Sequence, residues 1–232
     1  MRRGMLRRIV VVAVALTAAG PTLAQVPAKA PARRSAARMN FDGVAPGRLP
    51  AGWKVEATSG RGPLAVWKVV ADPEAPSPPN VLRAVPRPDT YGGTYNLCWT
   101  SAVRFLDGEI EVKVRANTGH EDQGGGPMWR VRDANNYYVA RYNPLEHNFR
   151  VYTVKNGARK MLDSASRIKV ATGEWFTIRI VQHGDHIECF LDGEKLLDVH
   201  DTTFTQPGGV GLWTKSDAAT SFDNLTIRPA ER

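Results

Sequence analysis

The chain has 232 residues, of which 31 are Lys or Arg and 23 are Asp or Glu, giving a formal net charge of +8. Eight basic residues lie before position 39, where no acidic residue occurs: Arg2, Arg3, Arg7, Arg8, Lys29, Arg33, Arg34 and Arg38. The rest of the chain is therefore close to neutral. Without a basic face, the release of counterions that drives nucleic-acid binding is missing, so the composition argues against a nucleic-acid partner.

Residues 1–24 are predicted to be a cleaved signal peptide. The basic start MRRGMLRR precedes the apolar run IVVVAVALTAA, which is too short to span a bilayer. Small residues before Gln25 predict cleavage after Ala24. A membrane anchor would need a longer apolar segment or a Cys directly after the cleavage point, and the sequence has neither. We therefore expect a periplasmic or secreted protein. The Sec and twin-arginine export routes both stay open.

Residues 25–38 follow this leader and are rich in Ala, Pro and Arg. Such a segment has no apolar periodicity with which to dock on a core, so it is predicted to be a disordered arm.

Residues 39–229 are predicted to form one all-β domain of roughly 190 residues, large enough to bury a sizeable core. Short runs with apolar alternation are separated by turn residues, and no segment has the pattern of a long amphipathic helix. Strands are predicted at 67–70, 81–85, 95–99, 109–115, 128–132, 137–142, 148–154, 175–182, 186–191, 210–214 and 221–227. Many short strands with tight turns indicate a two-sheet antiparallel sandwich or jelly roll.

The segment GGGPMWRVRDANNYYVARYNPLEHN predicts a β-hairpin rich in groups that suit a polyhydroxylated ligand. Alternation places Trp129 and Val131 on one side of the first strand and Met128, Arg130 and Arg132 on the other. Arg offers a donor fork, Asn offers donor and acceptor, and Tyr offers a flat ring with a hydroxyl. The candidate ligand-binding residues here are Arg130, Tyr137, Arg141, Asn143 and Asn148. Alternatively, the same side chains only pair across the sheet and stabilise it.

A second group of candidate ligand-binding residues lies near the C-terminus. Trp213, Lys215 and Asp217 lie where a predicted strand runs into a loop, so that Trp213 could stack on a sugar ring while its neighbours bond hydroxyls. The alternative is that Trp213 belongs to the core and that Lys215 and Asp217 form a local pair.

The order of these motifs resembles a known family. GEIEVKVR, WRVRDANNYYVARYNPLEHN, GEWFTIRI, GDHIECFLDGEKLL and GLWTKSDAATSFDN are similar to exported concanavalin-A-like jelly-roll domains of the 3-keto-disaccharide hydrolase, or family-16-glycoside-hydrolase-like, type. The resemblance covers about residues 105–228. It implies a concanavalin-A-like sandwich with a carbohydrate ligand across its concave sheet, and a carbohydrate-related role for the protein.

The paired carboxylates of a retaining glycosidase are missing, because the chain has no E-x-D-x-x-E run. Glu146 is the best single candidate for a catalytic acid, since the turn after Asn143 would project it above the sheet edge. Asp122, Asp133 and Asp217 are further acids that a hydrolase could use. The alternative for Glu146 is a structural role, in which it caps backbone amides or pairs with an arginine.

Metal and disulfide chemistry have weak support in the sequence. No cofactor is required, but Asp42 and Asp223, near the two ends of the domain, could join backbone carbonyls around a structural Ca²⁺ ion. The alternative is that both bond neighbouring amides. The histidines have no zinc-ligand spacing. Cys98 and Cys189 lie in apolar strands, and whether they are bridged stays open, as does the oligomeric state.

Three classes of function are therefore compatible with the sequence. A carbohydrate-binding protein leads, because the polar and aromatic hairpin is present while the usual catalytic signature is absent. A hydrolase or lyase acting on glycosides or 3-keto-disaccharides is the second, and a structural envelope module without catalysis is the third.

Overall fold

The structure, a computed structural model, describes residues 36–90 and 92–230. The predicted signal peptide and residues 25–35 of the predicted arm lie outside these ranges. The strands are β1 (Ala37–Met39), β2 (Lys54–Ala57), β3 (Val66–Ala71), β4 (Asn80–Val85), β5 (Tyr95–Phe105), β6 (Gly108–Thr118), β7 (Gly126–Asp133), β8 (Asn136–Asn143), β9 (Asn148–Lys155), β10 (Ala158–Ser166), β11 (Trp175–His183), β12 (His186–Leu191), β13 (Glu194–His200), β14 (Gly208–Lys215) and β15 (Ala219–Pro229). Within the described ranges the only helix is a 3₁₀ turn at Thr58–Gly60, and no helix is long and apolar enough to cross a membrane.

Two antiparallel sheets pack face to face, which confirms the predicted sandwich. Sheet 1 has the strand order β13-β12-β11-β6-β15-β4-β3, with β1 also paired to β15. Sheet 2 has the order β10-β9-β8-β7-β14-β5-β2. The inner faces of both sheets form one apolar core, as the alternation predicts: on β11, Phe176, Ile178 and Ile180 point inward while Thr177 and Arg179 between them are only half-buried.

Strand β1 begins at Ala37, so the last two residues of the predicted disordered arm are ordered. Ala37 pairs with Ile227 and Arg38 pairs with Thr226 on β15. The apolar side chains of Ala37 and Met39 pack against the core. This single short pairing accounts for the order of residues that have little apolar character of their own.

A bulge in β7 overturns the predicted alternation of the hairpin strand. The hairpin itself is confirmed, since Asp133 pairs with Asn136 across a two-residue turn. However, Arg130 has a φ of 47°, and the register of β7 shifts beyond Trp129. Trp129 therefore enters the core between the sheets, whereas Val131 joins Met128 on the outer face of sheet 2. One residue in a left-handed conformation is enough to reverse the side on which the following side chains lie.

The two cysteines are free thiols buried in the core. Cys98 lies on β5 in sheet 2 and Cys189 on β12 in sheet 1. Burial raises the pKa of both thiols, so neither is poised to react as a thiolate.

Candidate functional site

The outer face of sheet 2, which points away from the core, carries a buried apolar cluster and, beside it, a group of polar side chains. On β8, alternation puts Arg141 and Asn143 on the same face as Tyr137 and Val139. The neighbouring strand β9 places Arg150 opposite Arg141 and Asn148 opposite Asn143. We call the group formed with residues from the adjoining loops the polar cluster: Asp122, Arg141, Asn143, Glu146, Asn148, Arg150 and Lys215.

Asp122 reaches this face through the glycine-rich loop between β6 and β7. Gly124 has a φ of 76°, and a side chain on it would overlap the carbonyl oxygen of Tyr142. The loop can therefore lie directly against β8 only with glycine at this position. Asp217 fixes the other side of the loop, because its carboxylate accepts the backbone N–H groups of residues 120, 121 and 122 at 2.6 to 3.2 Å.

The Asp122 carboxylate is held by two donors from different strands. Asn143 donates its Nδ2 to Oδ1 at 2.9 Å, and Lys215 donates its Nζ to Oδ2 at 2.7 Å. Burial raises the pKa of Asp122 above its ordinary value, and the hydrogen bond and charge of Lys215 oppose that rise. The residue is 2% exposed, so this carboxyl group has two fixed neighbours and little water.

Glu146 is at the opposite corner of the polar cluster, in the turn between β8 and β9. Its Oε2 accepts hydrogen bonds from Arg141 at 2.7 Å, from Asn148 at 2.9 Å and from Arg150 at 3.2 Å. Burial acts to raise the pKa of Glu146, but the donors Asn148 and Arg141 and the charge of Arg150 together lower it to about 2. Glu146 is therefore ionised across the physiological range, and 41% of its side chain is exposed.

Arg141 lies on the Glu146 side of the polar cluster. It is 2% exposed and donates its Nη1 to Asn148 Oδ1 at 2.5 Å as well as its Nη2 to Glu146. Its buried Nε has no hydrogen-bond partner within residues 36–90 and 92–230. A buried donor without a partner costs free energy, and because Nε is buried it is not accessible to a ligand.

An aromatic group adjoins the polar cluster on the same face. The guanidinium of Arg159, on β10, lies 4.8 Å from the ring centre of Tyr95, 4.5 Å from that of Tyr152 and 6.0 Å from that of Trp213. Trp213 is 1% exposed and donates its Nε1 to the hydroxyl of Tyr137 at 3.2 Å. The arginine thus covers aromatic surface that a sugar ring would otherwise contact.

The structure brings together five of the eight residues that the sequence marks as ligand-binding candidates: Arg141, Asn143, Asn148, Trp213 and Lys215. It also adds neighbours that the sequence does not single out as binding residues, namely Asp122, Arg150, Tyr95, Tyr152 and Arg159. Cross-strand pairing brings the last four onto this face, and strand pairing cannot be read from local sequence.

Three candidates have contacts that fix the scaffold. Arg130 is 1% exposed and donates to the carbonyl oxygens of Leu106, Phe204 and Gly184, because the β7 bulge turns it away from the polar cluster. The hydroxyl of Tyr137 is bonded to Thr58 at 2.7 Å, and its ring is fully buried. Asp217 holds the backbone of the β6–β7 loop, as described above.

Of the two candidate calcium ligands, Asp223 lies on β15 in sheet 1 and Asp42 lies in the turn that follows β1. Asp223 is fully buried and accepts the backbone N–H groups of Ser77 at 2.8 Å and Asn224 at 2.6 Å. Asp42 accepts the N–H of Asn80 at 3.2 Å. Burial, with a further contribution from the Asp42 charge, raises the pKa of Asp223 to about 6. The two carboxylates repel one another because their charges are alike, and a hard cation such as Ca²⁺ would relieve this repulsion.

Two packed antiparallel sheets with a polar outer face on one of them place the chain in the class of jelly-roll sandwiches. The chain belongs to the family described as the 3-keto-alpha-glucoside-1,2-lyase-like domain, whose model matches residues 41–228. The resemblance read from the sequence is confirmed, and the matched region begins well before residue 105.

Solved structures with the same fold include carbohydrate-binding and carbohydrate-cleaving proteins. The carbohydrate-binding module CBM66 from Bacillus subtilis has a TM-score of 0.59 at 20% identity, covering 75% of this chain and 94% of that one. The β-glucanase of Bacillus licheniformis has a TM-score of 0.57 at 10% identity, covering 85% and 99%. A levanase of Bacillus subtilis (strain 168) is 23% identical over 128 residues, which are 54% of this chain and only 18% of the levanase.

Proposed function

We propose that the polar cluster on the outer face of sheet 2 binds a glycoside. The observation that carries the proposal is the mutual orientation of its side chains: Glu146, Arg141 and Asn148 are bonded to one another, and Asn143 and Lys215 are both bonded to Asp122. Groups that are already fixed lose little entropy when a ligand replaces water, so their hydrogen bonds contribute more of their strength to binding.

Three members of the cluster are open to solvent and would contact the ligand first. The side chain of Glu146 is 41% exposed, that of Arg150 29% and that of Lys215 20%. The hydrogen bonds that the Glu146 carboxylate accepts within the described chain all go to Oε2, which leaves Oε1 for a ligand donor. A carboxylate flanked by cationic donors suits neighbouring hydroxyls, because each hydroxyl both donates and accepts.

The family suggests which glycosides to test. A 3-keto-alpha-glucoside differs from its parent sugar by a carbonyl acceptor at C3, and this acceptor can take a hydrogen bond from Lys215 or Arg150, whose side chains are 20% and 29% exposed. We therefore propose that the ligand is a glucoside, with the form oxidised at C3 bound more tightly than its parent.

The test is calorimetric titration with sucrose and trehalose and with their 3-keto forms. Glu146→Gln keeps the shape of the side chain and removes its charge, so it should weaken binding at least about tenfold, as expected for the loss of a charged hydrogen bond. Glu56→Gln is the matched control, since Glu56 lies on β2 at the far side of the same sheet face and bonds Trp99. Equal effects of the two changes, or no binding of any sugar, would refute the proposal.

Cleavage of a 3-keto-alpha-glucoside is the second candidate function. It is favoured by one observation, a cationic donor and an ionised carboxylate on the same face: the Lys215 ammonium bonds Asp122 at 2.7 Å, and the pKa of Glu146 is lowered to about 2. Groups with separated pKa values can act as acid and base in one reaction. In an elimination, the Glu146 carboxylate takes the proton from C2 beside the ketone and the C1=C2 double bond forms. The C1–O bond breaks as the departing oxygen takes a proton from the Lys215 ammonium, which Asp122 holds in place.

Product analysis separates cleavage from binding alone. Incubation with a 3-keto-disaccharide should release the free second sugar and an unsaturated keto sugar that absorbs in the ultraviolet. Asp122→Asn should stop the reaction while binding persists. If the 3-keto-disaccharide is bound and recovered intact, the chain is a binding protein.

We also propose that the protein is exported. The basic leader, the short apolar run and the small residues before Gln25 support this. Intact-mass analysis of protein recovered from the periplasm or medium should give a chain that starts at Gln25. Recovery with Met1 still in place would contradict the proposal.

A further inference from the structure

Three of the five histidines lie side by side on the outer face of sheet 1. His183 on β11 pairs with His186 on β12, and His186 pairs with His200 on β13. Directly paired residues have their side chains on the same face, and Ile187 and Cys189 point from β12 into the core. His186 and the residues paired with it therefore point outward. We call these three residues the histidine row.

The two imidazoles at one end of the row are already in contact. The rings of His186 and His200 are stacked with their centres 4.6 Å apart and their planes within 10° of parallel. Asp185 faces Nδ1 of His200 at 3.3 Å. A carboxylate on Nδ1 fixes the ring and leaves Nε2 for another partner, which is the usual arrangement around a metal-bound histidine.

Two carboxylates complete the group. Glu188 follows His186 on the same face of β12, and Asp198 pairs with Glu188 across the strands. His186 Nε2 lies 2.7 Å from Asp198 Oδ1, and the ligand atoms of His186, Glu188 and Asp198 are all within 4.8 Å of one another. Ligand atoms in a tetrahedral zinc site are about 3.3 Å apart, so half-exposed side chains would need to close by about 1.5 Å.

A cationic group already occupies the space between the two carboxylates. Lys195 donates its Nζ to Glu188 Oε1 at 2.9 Å and to Asp198 Oδ2 at 2.8 Å. The ammonium marks a position where positive charge is stabilised. The side chain of Lys195 is 45% exposed and its ammonium group lies at the end of a flexible stem, so an arriving ion can displace this group into water.

We propose that this group binds one divalent transition-metal ion of the zinc class, with His186, Glu188 and Asp198 as ligands and with His200, stacked on His186, holding that ring in place. Mixed imidazole and carboxylate donors suit Zn²⁺, Ni²⁺ or Cu²⁺, whereas Ca²⁺ and Mg²⁺ prefer oxygen alone. The site is on the sheet opposite the polar cluster. It is therefore independent of glycoside binding, and the hairpin β12–β13 would be clamped by the ion.

The test is titration of the full chain, untagged and freed of metal by chelation, with zinc chloride in a calorimeter. We expect one ion per chain with a dissociation constant on the order of 10 µM. His186→Ala and His200→Ala should each weaken binding at least about tenfold. His120→Ala is the matched control, because His120 lies in the β6–β7 loop, and it should bind zinc as the parent does.

Lys195→Met is an independent test, because this variant should bind zinc more tightly than the parent rather than more weakly. Removing the competing ammonium should tighten zinc binding several-fold if the two carboxylates are ligands. The proposal is overturned if the parent binds no zinc at about 1 mM. It is equally overturned if His120→Ala weakens binding as much as His186→Ala does, or if Lys195→Met leaves the affinity unchanged.

Discussion

Replacing Lys215 by methionine should destabilise the protein in a pH-dependent way. Lys215 is the only cation bonded to Asp122 among the described residues, at 2.7 Å, and the Asp122 side chain is 3% exposed. Methionine keeps most of the apolar stem of lysine but leaves the carboxylate with Asn143 as its remaining donor. Breaking a buried pair by removing one partner costs about 3 kcal/mol or more.

The pH dependence follows from the direction of the Asp122 pKa shift. An acid whose pKa is raised in the folded state destabilises the fold when it is ionised. The free energy of unfolding therefore falls as the pH rises above 3.8, the ordinary pKa of an aspartate. Without Lys215 the loss is about 1.4 kcal/mol per pH unit above that value until the folded pKa is reached. The variant should therefore lose about 3 kcal/mol at pH 7.5 relative to the parent, and clearly less at pH 4.5, where protonation of Asp122 relieves the unpaired charge.

Urea unfolding of parent and variant at these two pH values measures the difference. The double variant Asp122→Asn with Lys215→Met is the control, because it removes both charges and should recover much of the lost stability at pH 7.5. A destabilisation that is the same at both pH values, or one below about 1 kcal/mol at pH 7.5, would show that water solvates Asp122 and would refute the reasoning.

Three further predictions concern the scaffold. Arg130→Ala should lower the free energy of unfolding by about 3 kcal/mol, since three carbonyl oxygens lose their donor, and should leave glycoside affinity unchanged in calorimetry. A chain that starts at residue 40 should be about 1 to 2 kcal/mol less stable in urea than one that starts at residue 36, because only the shorter chain lacks β1; equal stability would show that β1 contributes nothing. We also propose that Ca²⁺ stabilises the parent but not Asp223→Asn, by about 1.4 kcal/mol at ten times the dissociation constant. Melting curves in calcium and in chelator that coincide for the parent would contradict this.

The fold could be predicted because most strands alternate between core and solvent. The strands missing from the sequence prediction are β1, β2, β10 and β13, of which the last three are edges of their sheets. β13 begins with the exposed residues Glu194 and Lys195, and β10 contains an irregularity between Met161 and Asp163. An edge strand has one free side and carries polar residues there, so its sequence lacks the clean alternation of a central strand.

The candidate sites depend on register, which is harder to predict. The alternation of side chains along β8 is enough to predict that Arg141 and Asn143 lie on the same face. Asp122 joins them only because the glycine-rich loop lies against β8. The histidine row shows the same limit: the register of β12 and β13 shifts between Cys189 and Phe190, and without that shift His186 would face Val199. The turns at Gly184-Asp185 and Asp192-Gly193 are visible in the sequence, whereas the bulge is not.

The glycine loop also constrains how the polar cluster can change in evolution. Side chains at Gly124, Gly125 and Gly126 would each overlap a backbone oxygen of β8 or β14. Substitutions there are therefore sterically blocked, and the loop holds Asp122 at one place on the sheet. The turn at residues 144–147 has no such restriction, and Leu145 and Glu146 are exposed. Substitutions in this turn can therefore change ligand preference, whereas the geometry on the Asp122 side of the cluster is fixed by the glycines.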